Sequence, residues 1–120
     1  INKIKNNKNS DIQYLKVGNL HVKRDFIFIK DFITMLWDIS SREEAYGEVY
    51  NACSGTPLSL LEIVEYMIDF SAINLTVKLE KTRFRKDDMK IHYGDNSKIL
   101  SIIPDINFTP WKKGIEGMLL

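Results

Sequence analysis

"VGNLHVKRDFIFIKDF", Val17 to Phe32, poses the problem that decides the fold. Phe26, Ile27, Phe28 and Ile29 form an apolar run suited to a core, yet Arg24, with Asp25 beside it, stands at its mouth. A guanidinium keeps its charge at any physiological pH, so burying one without a partner is costly. Arg24 therefore either closes a structural ion pair at the core's edge or reaches for an anionic ligand. After the run the apolar spacing turns helical. Phe32, Met35, Leu36 and Ile39 recur at i, i+3, i+4 and i+7, which predicts a helix with Asp31 as its N-cap, ending near "SSREEAYG". Before the run, "DIQYLKVG" reads as a strand closed by Gly18.

Further out, "INKIKNNKNS" reads as a last helical turn and a loop, and "GEVYNACSG" as a strand between Gly47 and Gly55. In "TPLSLLEIVEYMIDFS", Ser59 and Glu62 make an S-x-x-E capping box, and Leu60, Ile63, Val64, Met67 and Ile68 form one stripe. "LTVKLEK" alternates as a strand, with Leu75, Val77 and Leu79 on one face. "TRFRKDDMKIHYGDN" reads as a charged connection. A short helix is expected from Ser97 to the stop at Pro104. Thr109 and Pro110 open a last helix that turns Trp111, Ile115, Met118 and Leu119 inward. The expected order is α–β–α–β–α–β–α–α, an α/β arrangement.

The bulk numbers narrow the function classes. The chain has 120 residues, 44% of them hydrophobic and 28% charged, enough for one modest core. The formal charge of +1 comes from mixed signs and gives no support to nucleic-acid or anionic-membrane binding. No stretch approaches the roughly 20 apolar residues that span a bilayer. The single cysteine, Cys53, excludes an intramolecular disulfide and points to a reducing compartment, the cytoplasm. The chain opens on Ile1, inside an apparent helix tail, so the start of the protein is expected to lie upstream.

Most catalytic patterns are missing. No Gly-rich phosphate loop follows a strand, and "GDNSK" lacks the glycine spacing of a nucleotide-binding P-loop. His21 and His92 have no second ligand at helical spacing and read as structural rather than metal-binding. Cys53, placed in a strand, reads as an inert thiol, and the adjacent Asp87 and Asp88 do not face each other as a hydrolase pair would. Two basic clusters remain: Lys23-Arg24-Asp25 and Thr82-Arg83-Phe84-Arg85-Lys86-Asp87-Asp88. Arginine suits phosphates because its planar fork donates two parallel, charge-assisted hydrogen bonds. Composition alone leaves each cluster readable as salt-bridged or solvated. The "KTRFRK" stretch by itself would also suit a small nucleic-acid binder.

Taken together, "VGNLHVKRDFIFIKDF", "GEVYNACSGTPLSLLEIVEYM" and "FRKDDMKIHYGDNSKI" resemble, in order and spacing, the C-terminal part of the extended short-chain dehydrogenases/reductases, the NAD-dependent epimerase/dehydratase family. The resemblance runs from about Val17 to Ile99. It implies a Rossmann-type α/β enzyme acting on nucleotide sugars, with residues 1–120 forming its substrate-binding portion and the dinucleotide-binding part absent. "VGNL", "RDF" and "YNACSG" are most similar to reductases of GDP-4-keto-6-deoxy-mannose, ahead of GDP-mannose 4,6-dehydratases and other epimerases.

By that resemblance, Arg24 and Arg85 would grip the diphosphate of a GDP-sugar, Asp88 would contact the ribose and Asn19 would border the nucleoside pocket. Lys86 replaces the family's proline after the second arginine, which keeps Arg83 open as the alternative clamp. NAD or NADP would be bound by the absent part, and none is expected in this chain. None of Tyr14, Tyr46, Tyr50, Tyr66 and Tyr93 has lysine four residues on, so no catalytic Tyr-x-x-x-Lys pair is present. The rival of another class is a non-catalytic nucleotide-sugar-binding module. A homo-oligomer is expected, with an exposed sheet edge near "GEVYNACSG" or an apolar face covered by another copy.

Overall fold

The structure, a computed structural model, describes residues 13–119. The helical turn read over "INKIKNNKNS" lies outside these residues. Strand β1 (Gln13–Val17) pairs in parallel with β4 (Leu75–Leu79), register Leu15 to Val77. The second sheet is built from very short strands in the order β3–β2–β5. Here β2 is Lys23–Asp25, β3 is Pro57–Ser59 and β5 is Ile91–His92. β2 runs antiparallel to β3 and parallel to β5, so Arg24 lies opposite Leu58 on one side and His92 on the other.

Helix α1 spans Ile29–Ser40, α2 Leu60–Ser71, α3 Ser97–Ile102 and α4 Trp111–Leu119. The α2 start is as the sequence reads: Ser59 Oγ accepts the Leu61 N–H at 3.2 Å, and Glu62 returns to the Ser59 N–H at 3.2 Å. In its first turn, the Leu60 and Leu61 amides also donate to the Val22 and Leu20 carbonyls, so α2 is anchored to the segment leading into β2.

Several expectations need correction. Asp31 does not cap α1; the helix begins earlier, with Phe28 at the N-cap and Phe32 N–H donating to the Phe28 carbonyl. Tertiary packing is the reason. Phe28 lies against Gly114 of α4 and Ile27 joins the core, while the buried Asp31 accepts from Thr109 N at 2.7 Å and Thr109 Oγ1 at 2.8 Å. The carboxylate thus serves a backbone amide from the loop before α4 instead of its own helix.

The second concerns "GEVYNACSG", which forms no strand. Among the described residues no neighbouring strand pairs with it, and side chains take its carbonyls instead. Lys98 Nζ donates to Val49 O at 2.9 Å and Asn96 Nδ2 to Cys53 O at 3.2 Å. Strand pairing is found two residues later, in β3. The charged connection likewise hides a strand, β5.

The core is divided. Ile63, Met67 and Ile115 pack α2 against α4, with Leu58, Tyr66 and Trp111 around them. Met35, Ile99 and Ile103 pack α1 against α3, with Ile27, Ile39, Tyr50 and Phe108. The sheet holding Arg24 contributes Leu58 to the first cluster, and the apolar run that follows it contributes Ile27 to the second.

Candidate nucleotide-diphosphate site

Arg24 reaches its position because β2 is held on both edges, and its side chain extends toward the 88–89 segment. Nη2 meets Asp88 Oδ1 at 2.7 Å, while Nη1 donates to the Met89 carbonyl at 2.7 Å and the Lys23 carbonyl at 2.8 Å. Both partners of the ion pair are mostly shielded, with side-chain exposures of 27% and 17%. Asn19 Nδ2 approaches the other carboxylate oxygen of Asp88 at 3.4 Å, and Asn19 Oδ1 accepts the His21 N–H at 3.0 Å. A guanidinium has five N–H donors, so Arg24 retains Nε–H and one Nη2–H.

A cavity of about 310 Å³ opens beside this network. It is lined by Asn19, Arg24, Arg83, Arg85 and Asp88, with Leu60 and Val22 supplying apolar wall. All four residues singled out in the sequence therefore border one space, although they come from three separate segments. The alternative clamp, Arg83, borders it as well. Arg85 is exposed and has no ion pair among the described residues, whereas Arg83 Nε binds Glu80 at 2.5 Å and its Nη1 reaches the Lys16 carbonyl at 3.4 Å. Guanidinium groups outnumber the single carboxylate, so the cavity carries excess positive charge.

Gly18 eases this assembly: a Cβ there would stand 3.0 Å from the Arg83 carbonyl, so glycine lets the end of β1 and the 81–83 turn close up without displacing that backbone.

Sequence reading missed the role of Asp25. Its Oδ1 accepts Ser54 N at 2.9 Å and Ser54 Oγ at 2.6 Å, and its Oδ2 accepts Gly55 N at 3.0 Å and Gly94 N at 3.3 Å. Burial pushes its carboxyl up, but these bonds from Ser54, Gly94 and Gly55 outweigh it and hold the pKa below the usual aspartate range. The residue beside Arg24 thus pins β2 to two loops. Gly55 sits at φ +75°, and a Cβ would lie 2.9 Å from the Asn96 amide, so the 54–55 turn requires glycine. The only signals were a charge next to Arg24 and a Ser-Gly turn about thirty residues away, which no spacing rule connects.

On the other side of Arg24 lies a more open cavity of about 820 Å³, bordered by Asp25, Tyr50, Cys53, His92, Tyr93 and Asp95. Cys53 is half-buried and lies outside any strand; burial, then the Asp25 charge, raise its thiol pKa, which leaves it a poor nucleophile. His21 and His92 are exposed. Among the described residues no cluster of His, Cys, Asp and Glu is arranged to hold a metal, and no helix is long and apolar enough to cross a membrane.

Two small sheets, each with a parallel pair, together with the helices and the arginine-lined cavity, define a mixed α/β unit. Comparison with known proteins places it more closely: the model of the GDP-mannose 4,6 dehydratase family matches residues 1–105, and the chain belongs to that family. GDP-6-deoxy-D-mannose reductase of Pseudomonas aeruginosa is 29% identical over 85 residues, covering 71% of this chain and 28% of that protein. GDP-6-deoxy-D-talose 4-dehydrogenase of Aggregatibacter actinomycetemcomitans is 29% identical over 105 residues, 87% of this chain and 35% of its own length.

The chain thus spans about a third of the length of the curated relatives it matches. Among solved structures, RMD from Pseudomonas aeruginosa, complexed with NADPH, superposes with a TM-score of 0.81 at 23% identity, covering 98% of this chain and 37% of that one. An NAD-dependent NDP-hexosamine 5,6-dehydratase of tunicamycin biosynthesis gives 0.75 at 21% identity, covering 88% and 34%. At these identities the likeness shows the fold, a part of the Rossmann-type extended short-chain dehydrogenase architecture.

Proposed function

We propose that residues 1–120 form the GDP-sugar-binding part of an NAD(P)-dependent sugar-nucleotide enzyme, a reductase of GDP-4-keto-6-deoxy-mannose ahead of a GDP-mannose 4,6-dehydratase. The observation that carries this reading is the convergence of Asn19, Arg24, Arg85 and Asp88 on one cavity with excess positive charge. Family membership and the two relatives acting on GDP-linked deoxysugars, by their names, support it.

In this reading Arg85 and the free donors of Arg24 bind the diphosphate, Asp88 accepts from a ribose hydroxyl, and Asn19 borders the nucleoside. Anchoring the non-reacting handle positions the sugar ring for chemistry elsewhere. The residues described do not fit a nicotinamide dinucleotide: β1 runs into Gly18–Asn19 and then another strand, β4 runs into the 81–83 turn, and the first amides of α2 already donate to Ser59 Oγ and to the Val22 and Leu20 carbonyls. That cofactor, which passes hydride in such an enzyme, would be held by chain outside these residues. Without a Tyr-x-x-x-Lys pair this chain alone is expected to oxidise no nicotinamide. We place the protein in the cytoplasm as a homo-oligomer, with no nucleic-acid or membrane partner.

A thermal-shift titration with GDP, UDP, dTDP and CDP tests the site. The expected result is a selective rise with GDP that disappears in both Arg24→Ala and Arg85→Ala. A rise indifferent to the base, or one surviving both substitutions, contradicts it.

A further inference from the structure

Asp88 puts a negative charge inside a cavity read as binding an anion. Its carboxylate borders the same cavity as Arg24, Arg83 and Arg85, and it already occupies one fork of the Arg24 guanidinium at 2.7 Å. A bound anion must lie near this negative charge and must share Arg24 with it. Oδ1 is taken by Arg24, while among the described residues Oδ2 has only the long 3.4 Å approach of Asn19 and can accept another hydrogen.

We propose that Asp88 is a specificity-determining counter-ion: it rejects ligands that offer charge alone and admits those bringing both an anionic group and a hydroxyl donor. This deepens the diphosphate-site reading and rests on it for the identity of the favoured ligand. The physical basis is differential. A simple anion such as inorganic pyrophosphate gains Arg85 and Arg83 but meets like-charge repulsion and competition for Arg24. A ligand whose hydroxyl reaches Oδ2 recovers that loss through a hydrogen bond to a charged acceptor. Discrimination of this kind falls on free pyrophosphate, polyphosphate and any phosphate backbone presented without a correctly spaced hydroxyl.

The test is calorimetric titration of the whole chain with inorganic pyrophosphate and, separately, with GDP-mannose, for the wild type, Asp88→Asn, Asp88→Ser and Asp88→Glu. The neutral variants are expected to bind pyrophosphate about tenfold more tightly than the wild type, as removing one unit charge a few ångströms away implies. They are also expected to bind GDP-mannose more weakly, inverting the preference. Asp88→Glu, which keeps the charge, is expected to keep pyrophosphate excluded. Far-UV circular dichroism and the melting temperature establish that each variant is folded, and Asp88→Ser stands in if Asp88→Asn is not.

Pyrophosphate affinity unchanged, lowered or equally absent in the wild type and the folded neutral variants overturns the counter-ion role. The two readings fail separately. If the wild type ignores GDP-mannose while the neutral variants gain pyrophosphate, the filter stands and the sugar-nucleotide assignment falls.

Discussion

The Arg24–Asp25 region and the outer face of α1 lie a few residues apart in sequence and meet opposite fates. Around β2 the polar side chains find partners within the chain: Asp25 collects Ser54, Gly55 and Gly94, and Arg24 collects Asp88, Lys23 and Met89. Among the described residues no buried side-chain nitrogen or oxygen lacks a partner. On the outer face of α1 and the stretch beyond it, apolar side chains stand in solvent. Trp37 is 77% exposed, Ile33 56% and Val49 82%. The site is therefore organised by short-range polar bonds made inside these residues, whereas the α1 face has apolar area with nothing packed on it here. Ile33 and Trp37, one helical turn apart, put this exposed apolar area on one side of the helix.

The largest expected effect comes from the inward side of the same helix. Met35 is fully buried between Ile99 and Ile103, so Met35→Ala is expected to cost about 2–5 kcal/mol, seen as a lower denaturant midpoint. A cost near zero would mean the α1–α3 cluster does not hold the fold together.

Next is the Asp25 cage. Asp25→Asn turns one accepting oxygen into a donor that faces backbone N–H groups, and is expected to cost about 1–3 kcal/mol at neutral pH. The folded pKa lies below the unfolded one, so the unfolded chain takes up the proton first. The cage's contribution is complete above the ordinary aspartate value of about 3.9 and is lost as pH falls below it, through the folded value. Wild type and variant should therefore converge in stability in acid. Equal stability of the two at neutral pH would break the contrast.

The smallest stability effect belongs to the exposed face. Trp37→Ser with Val49→Ser is expected to change unfolding free energy by less than about 0.5 kcal/mol per site while reducing self-association in size-exclusion chromatography. A clean wild-type monomer would count against self-association through this face.

Legibility followed locality. The α2 capping box lies within four consecutive residues and was readable, as was the β1 and β4 alternation. Strands β2, β3 and β5 are three, three and two residues long, too short for any period to announce them. Asp31 looked like an N-cap because its partner, Thr109, lies 78 positions away and no local pattern points to it. "GEVYNACSG" has the composition of a strand, but pairing is a property of neighbours, and among the described residues it has none. The resemblance assigned Arg24 to the diphosphate and Asp88 to the ribose of one ligand, but the ion pair between them, 64 positions apart, had no local signal.

Two-dimensional NMR of the chain titrated with GDP-mannose addresses the site most directly. Progressive shifts should concentrate on the Gly18 amide, the Asn19 side-chain amide and the Arg85 Nε–H, with Tyr50, Cys53 and Tyr93 nearly still. Shifts gathered instead at Tyr50, Cys53 and Tyr93, around the larger cavity, would contradict the arginine-lined site.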